Sequence, residues 1–213
     1  MLEKMDAFFE ARLEGYEEHM LTAIEGAEEF YPFTAALLPP GHILDLGCGT
    51  GLELNWYFAE HPSARVTGID LSEGMLAALR KKFPDKALKL IPGSYFEVPL
   101  GENLFDGAVS VESLHHFTQA EKLPLYRKLC TALKPGASFI LTDYFAPDAD
   151  YETFYRSELL RLKAEQGIAD TQFYHYDTPL TVEHETEALL AAGFSKIEIL
   201  GQWGATCTLR ATK

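Results

Sequence analysis

The stretch ILDLGCGTGLELN (Ile43–Asn55) sets an apolar run directly before three glycines in five positions, with a helix-compatible segment behind them. Strand, bare turn and helix in that order strongly constrain the fold. Glycine lets the backbone approach a ligand, and the helix that follows presents free N–H groups. The rhythm then continues. Strand-like runs occur at His42–Leu46, Arg65–Asp70, Leu88–Ile91, Gly107–Val111 and Ser138–Thr142, with helical stretches at Leu52–Glu60, Glu73–Phe83 and Gln119–Leu133 between them. Such alternation predicts an α/β three-layer sandwich around a mostly parallel sheet.

Flanking segments extend this core. Leu2–Ile24 is helix-compatible and rich in carboxylates, helical character resumes over Ala27–Leu38, and Pro39-Pro40 ends it. After Thr142 come a helix over Asp148–Gly167, an aromatic-rich loop over Asp170–Leu180, and a helix over Thr181–Ala192 with Thr181 as its N-cap. Lys196–Leu200 and Thr206–Ala211 read as a closing hairpin. The expectation is one domain over residues 1–213: helical cover 1–38, ligand-binding core 39–146, insertion or lid 147–180, and C-terminal helix and hairpin 181–213.

The formal net charge of −14 disfavours a phosphate backbone as partner, since such proteins normally present basic clusters. No apolar run approaches the ~20 residues of a membrane span, and Met1–Gly15 has no apolar core of signal-peptide type. Cys48, Cys130 and Cys207 are widely spaced, without a CxxC or paired-histidine pattern. They suit a reducing compartment and give no metal-ligand spacing. The expected protein is cytoplasmic, with no membrane partner, extended nucleic acid disfavoured, no metal, and a homodimer left open.

Three ligands compete for the glycine loop. A P-loop needs Gly-Lys-Ser/Thr, but Leu52 and Glu53 follow Gly51. A dinucleotide loop needs a third small residue where Leu52 stands, and no Lys or Arg occurs between Arg12 and Arg65 to meet a pyrophosphate. A ligand with a cationic end suits Asp45, and Asp70, at the end of VTGID, is spaced to accept ribose hydroxyls. S-adenosylmethionine (SAM), with a sulfonium, an ammonium and no phosphate, has that character.

ILDLGCGTG, VTGIDLSEGML, FDGAVSVESLHHF and LKPGASFILTDYF, in this order, resemble the class I SAM-dependent methyltransferases over about Pro39–Tyr144. The resemblance implies a seven-stranded Rossmann-like sheet with the last strand antiparallel, SAM as cofactor and S-adenosylhomocysteine (SAH) as product. It places Gly47, Cys48, Gly49 and Gly51 along the methionyl part, Asp45 near the amino group, Asp70 on the ribose, and Leu71 and Met75 beside adenine. Ser94 stands where the family often has an Asp, with Tyr95 next to it, and Val111 and Glu112 run beside SAM.

Methyl transfer needs a nucleophile aligned ~3 Å from the methyl group, and a base only if the acceptor must lose a proton. Glu112, His115 and His116 are the candidates for that role, although the histidine pair also suits a packed helix start. Tyr16, His19, Tyr144, Tyr174, His175, Tyr176 and Trp203 are candidate walls or lid of an acceptor site, or else aromatic packing. The expected reaction is methyl transfer to a small molecule. Two alternatives stay open. The C-terminal layout resembles carboxy-SAM synthases, but Ile168–Leu180 has no Lys or Arg for the added carboxylate. A non-catalytic SAM-binding domain would keep the same glycines and acids.

Overall fold

A computed structural model describes residues 1–169 and 173–213, so the stretch 170–172 of the aromatic-rich loop lies outside the described residues. The strands are β1 (His42–Leu46), β2 (Arg65–Asp70), β3 (Ala87–Pro92), β4 (Phe105–Val111), β5 (Leu133–Tyr144), β6 (Lys196–Trp203) and β7 (Thr206–Thr212). They form one seven-stranded sheet in the order β3-β2-β1-β4-β5-β7-β6. The pairings among β1 to β5 are parallel, and β7 runs antiparallel between β5 and β6. This is the α/β Rossmann-like architecture expected above.

The central strands are apolar on both faces because both faces are covered. Alternate residues point opposite ways. Leu44, Leu46, Ala108, Phe139 and Leu141 join one core cluster, while Ile43, Val109 and Ile140 join the other. On the first face lie α6 (Gln119–Ala132) and α8 (Val182–Ala191); on the second lie α3 (Ala27–Ala36), α4 (Leu54–Glu60) and α5 (Glu73–Lys82). Strand order reverses between β1 and β4, which opens a crevice at their carboxyl ends.

Helix starts follow their side chains. Thr118 and Glu121 form a reciprocal capping box on α6, and Thr181 Oγ1 accepts the His184 amide at 3.1 Å at the head of α8. Leu2–Ile24 divides into α1 (Met5–Ala11) and α2 (Tyr16–Ala23), because Gly15 adopts a left-handed conformation with φ 83° between them. β5 begins at Leu133, earlier than the apolar run suggests, by pairing Leu133 with Phe105. α7 (Ala149–Glu165) follows β5 and buries none of its residues.

α6 and α8 are joined by a buried ion pair. Lys122 Nζ lies 2.6 Å from Glu185 Oε2, and Tyr126 donates its hydroxyl to Glu185 Oε1. Both ionic side chains are almost wholly shielded, so removing one strands the other. Glu185→Ala should destabilise the fold by about 3–5 kcal/mol in urea unfolding. A change below about 0.5 kcal/mol would contradict the inferred dependence on this pair.

Candidate active site

β1 ends in a loop whose Gly47, Gly49 and Gly51 have φ of 72°, 47° and 70°. The Gly47 amide donates to the Ile69 carbonyl at 2.9 Å, tying the loop to the end of β2. A Cβ at Gly47 would collide with Ser113 Oγ, so this position combines a left-handed backbone with a close approach. Asp70 then organises the cleft floor. Its Oδ2 accepts the Gly49 amide and its Oδ1 the Ser72 amide, both at 2.9 Å. A carboxylate has about four lone-pair positions, so two bonds leave capacity for a ligand. Burial raises the Asp70 pKa, while the amides of Ser72 and Gly49 pull against that rise.

Beneath the loop, Asp45 and Glu53 are both buried. Burial, then the Glu53 carboxyl, pushes Asp45 well above the usual carboxylate range. Asp45 Oδ2, Glu53 Oε1 and Thr50 Oγ1 are shielded and make no hydrogen bond among the described residues. Orphaned buried acceptors of this kind suit a cationic group, and the glycine amides and Asp70 suit a carboxylate and a ribose. The residues therefore fit SAM. The cleft itself has an open volume of about 50 Å³, with Met5, Phe9 and Tyr16 among its lining residues. That space is smaller than a nucleoside, and side chains of α1 and α2 narrow it.

Beside the cleft lies a second cavity of about 740 Å³, walled by Phe8, Phe9, Tyr16, His19, Tyr144 and His175. Phe9, Tyr16, Glu112 and His116 line both spaces. At the junction, the end of β4 and the 3₁₀ turn Leu114–His116 place a polar cluster. His115 Nδ1 is 2.6 Å from Asp143 Oδ1, and the Leu114 amide donates to Asp143 Oδ2 at 2.8 Å. Glu112 Oε2 is 3.8 Å from the same imidazole nitrogen, and Thr206 Oγ1 donates to Glu112 Oε1 at 3.0 Å.

Protonation in this cluster is far from ordinary. Burial opposes a charge on His115, but the Asp143, Glu112 and Asp177 carboxylates outweigh it and push its pKa up to about 9. Burial and then the neighbouring His115 lower His116 to about 4. Burial and then Asp143 push Glu112 up to about 7. At neutral pH without a ligand, His115 is thus an imidazolium, His116 is neutral, and Glu112 is poised to exchange a proton. Glu112 also holds φ at 48°, a left-handed backbone that costs a non-glycine residue roughly 1–2 kcal/mol.

The structure brings together Gly47, Gly49, Asp70, Leu71, Met75, Tyr95 and Val111 in the cleft wall. Cys48 and Gly51 point into packing instead, against Gly68 and Leu79, and Asp45 lies below the loop. Ser94 accepts the Phe96 amide at 3.2 Å and shapes a turn outside the lining. Tyr174 bridges to Lys4, and Tyr176 borders a separate surface hollow with Leu162 and Gln166. Trp203 is displaced from the acceptor wall because its indole packs on Phe30 and Phe33 of α3 and donates to Glu29 at 2.9 Å. Sequence reasoning missed Glu53, Ser113, and the contacts that His115 makes with Asp143 and Asp177. Only the acidic character of Glu53, directly behind the glycines, offered a local signal. Gly47→Ala should weaken SAH affinity at least tenfold by calorimetry, whereas Gly136→Ala, with φ 77° but open space around it, should leave affinity unchanged. Equal affinities in both variants would contradict the cleft assignment.

Residues 43–136 match the family described as methyltransferase domain. The sterol 24-C-methyltransferase ERG6B of Gibberella zeae is 27% identical over 84% of this chain and 46% of its own length. The cycloartenol-C-24-methyltransferase of Arabidopsis thaliana is 29% identical over 84% of this chain and 52% of its own. The chain thus spans about half the length of these curated relatives. Among solved structures, a SAM-dependent methyltransferase of Thermotoga maritima has the same fold, with a TM-score of 0.68 at 20% identity over 98% of this chain and 99% of that one. Residues 43–136 thus carry a methyltransferase domain, and the sheet order and glycine loop around it resemble those of the class I SAM-dependent methyltransferases.

Proposed function

We propose that the protein transfers a methyl group from SAM to a small molecule held in the cavity beside the cofactor cleft. The observation that carries this reading is that Phe9, Tyr16, Glu112 and His116 line both spaces, which sets the cavity directly beside the cleft. A transferable methyl and its acceptor must meet in line, within ~3 Å, out of contact with water. Residues that line both the narrow cofactor cleft and the aromatic cavity mark that meeting point.

Bound SAM supplies the electrophilic methyl carbon on its sulfonium. Gly47 and Gly49 hold the methionyl portion, the Asp45–Glu53 pair neutralises the ammonium through the loop, Asp70 accepts the ribose hydroxyls, and Leu71 and Met75 flank adenine. Tyr95 and Val111 complete the wall. Glu112 takes the acceptor's proton: it lies in both spaces, and Thr206 fixes its other oxygen. His115 is committed through Nδ1 to Asp143, which makes it an oriented neighbour of Glu112. The relatives named for sterols act on small molecules, and the acidic surface favours a compact acceptor over a polyanion. Three free, buried cysteines support placement in the cytoplasm.

Incubation with methyl-labelled SAM and a panel of small acceptors tests this function. Glu112→Gln should lower turnover by at least about 10²-fold while SAH affinity stays as in the wild type. Loss of SAH binding in that variant would move Glu112 from acceptor to cofactor and overturn its assigned role.

A further inference from the structure

His115 and His116 are consecutive on the 3₁₀ turn after β4, while Asp177 belongs to a segment that returns after α7. The Thr178 amide donates to the His115 carbonyl at 2.8 Å and pins that segment in place. As a result, Asp177 Oδ1 lies 3.6 Å from His115 Nε2 and 3.1 Å from His116 Nδ1. One ligating atom from each of the three residues falls within 4.8 Å of the others.

These separations have a chemical meaning. Four ligands at ~2.0–2.1 Å from a tetrahedral zinc ion stand about 3.3 Å apart, and the two measured separations bracket that edge. Asp177 Oδ1 is shielded from solvent and, for all its proximity to His116, makes no hydrogen bond of proper geometry among the described residues. His116 Nδ1 has one other contact, a long 3.4 Å approach to the Tyr176 carbonyl.

The outer partners point the same way. Asp143 engages His115 at Nδ1 and is itself held by the Leu114 amide. A carboxylate on one ring nitrogen fixes the other as a metal ligand, the usual arrangement around protein-bound zinc. A second grouping, Glu112 with His115 and Asp143, lacks this logic because it would need the Nδ1 already committed to Asp143.

We propose that His115, His116 and Asp177 bind a divalent transition-metal ion, zinc being the first candidate, with a coordination position open to the acceptor cavity. All three residues line that cavity. Three protein ligands with one open position is the arrangement of catalytic rather than structural zinc. The open position takes an oxygen of the acceptor, a hydroxyl or the carbonyl of an enolisable group. The ion withdraws electron density from that oxygen, the acidified proton passes to Glu112, and no electrons are exchanged. This role rests on the methyltransferase reading of the cavity; the binding of the ion does not.

The test begins with protein stripped by EDTA and dialysed, then titrated with zinc against a chromogenic chelator and, separately, with cobalt(II) followed by visible absorption. One equivalent per chain and tetrahedral-type cobalt bands are expected. Asp177→Asn should weaken zinc binding at least ~10-fold, and Asp143→Asn by about 10–100-fold through loss of orientation. Asp177 is 46% exposed at its side chain, so its variant tests the site without threatening the fold. Absence of stoichiometric binding, or equal binding by a His115→Ala/Asp177→Asn double variant with native circular dichroism, overturns the proposal. SAH titration of the stripped protein separates the two readings. SAH bound without any zinc site would remove the metal and leave the methyltransferase, whereas zinc bound without SAH affinity would do the reverse.

Discussion

Two backbone amides meeting one carboxylate hold this site together. Asp70, at the end of β2, accepts from Gly49 in the loop after β1 and from Ser72 at the head of α5. The loop's left-handed glycines are thereby fixed against the next strand, and the amides of the turn are held at the crevice where strand order reverses. Charge-assisted hydrogen bonds of this type contribute roughly 1.5–3 kcal/mol each. The ligand-facing geometry depends on them more than on any apolar contact.

A second constraint is electrostatic. The acidic residues collected around the cleft repel one another, and each has a distinct resolution. Asp143 is compensated by His115, Asp45 and Glu53 are buried against each other with Lys82 acting on Glu53, and Glu112 is left near neutrality in pKa. An apolar sheet core encloses them, so little water offsets the repulsion. The proposed cations, an ammonium across the loop from Asp45 and a metal ion beside Asp177, would relieve charge that the fold has concentrated. Concentrating it also carries a conformational cost at Glu112, whose backbone is held in the left-handed region.

The cover formed by α1 and α2 links cofactor and acceptor. Glu10 on α1 accepts from Ser72 Oγ at 2.7 Å and from the Gly74 amide at 3.1 Å, adding charge at the N-terminus of α5. The Met5 amide donates to the Phe173 carbonyl, and His175 stacks on Phe8 with ring centres 3.5 Å apart. One layer therefore covers both the narrow cleft and the larger cavity.

β1 and β2 were legible to the residue because their apolar runs end in chemically loud turns, glycine after one and Asp-Leu-Ser after the other. Thr181 was legible as a cap because its chemistry is local. The contact of Asp177 with His115 was not, since it arises from the path of the returning segment, and of the two places open to Trp203, acceptor wall or aromatic packing, it takes the packing because β6 runs on to include it and turns it toward α3. Calorimetric titration of the purified protein with SAH, SAM and NAD tests the central claim most directly. Stoichiometric binding of SAH and SAM, with no heat from NAD, is the predicted result. Binding of NAD, or of neither SAM nor SAH, would contradict the account.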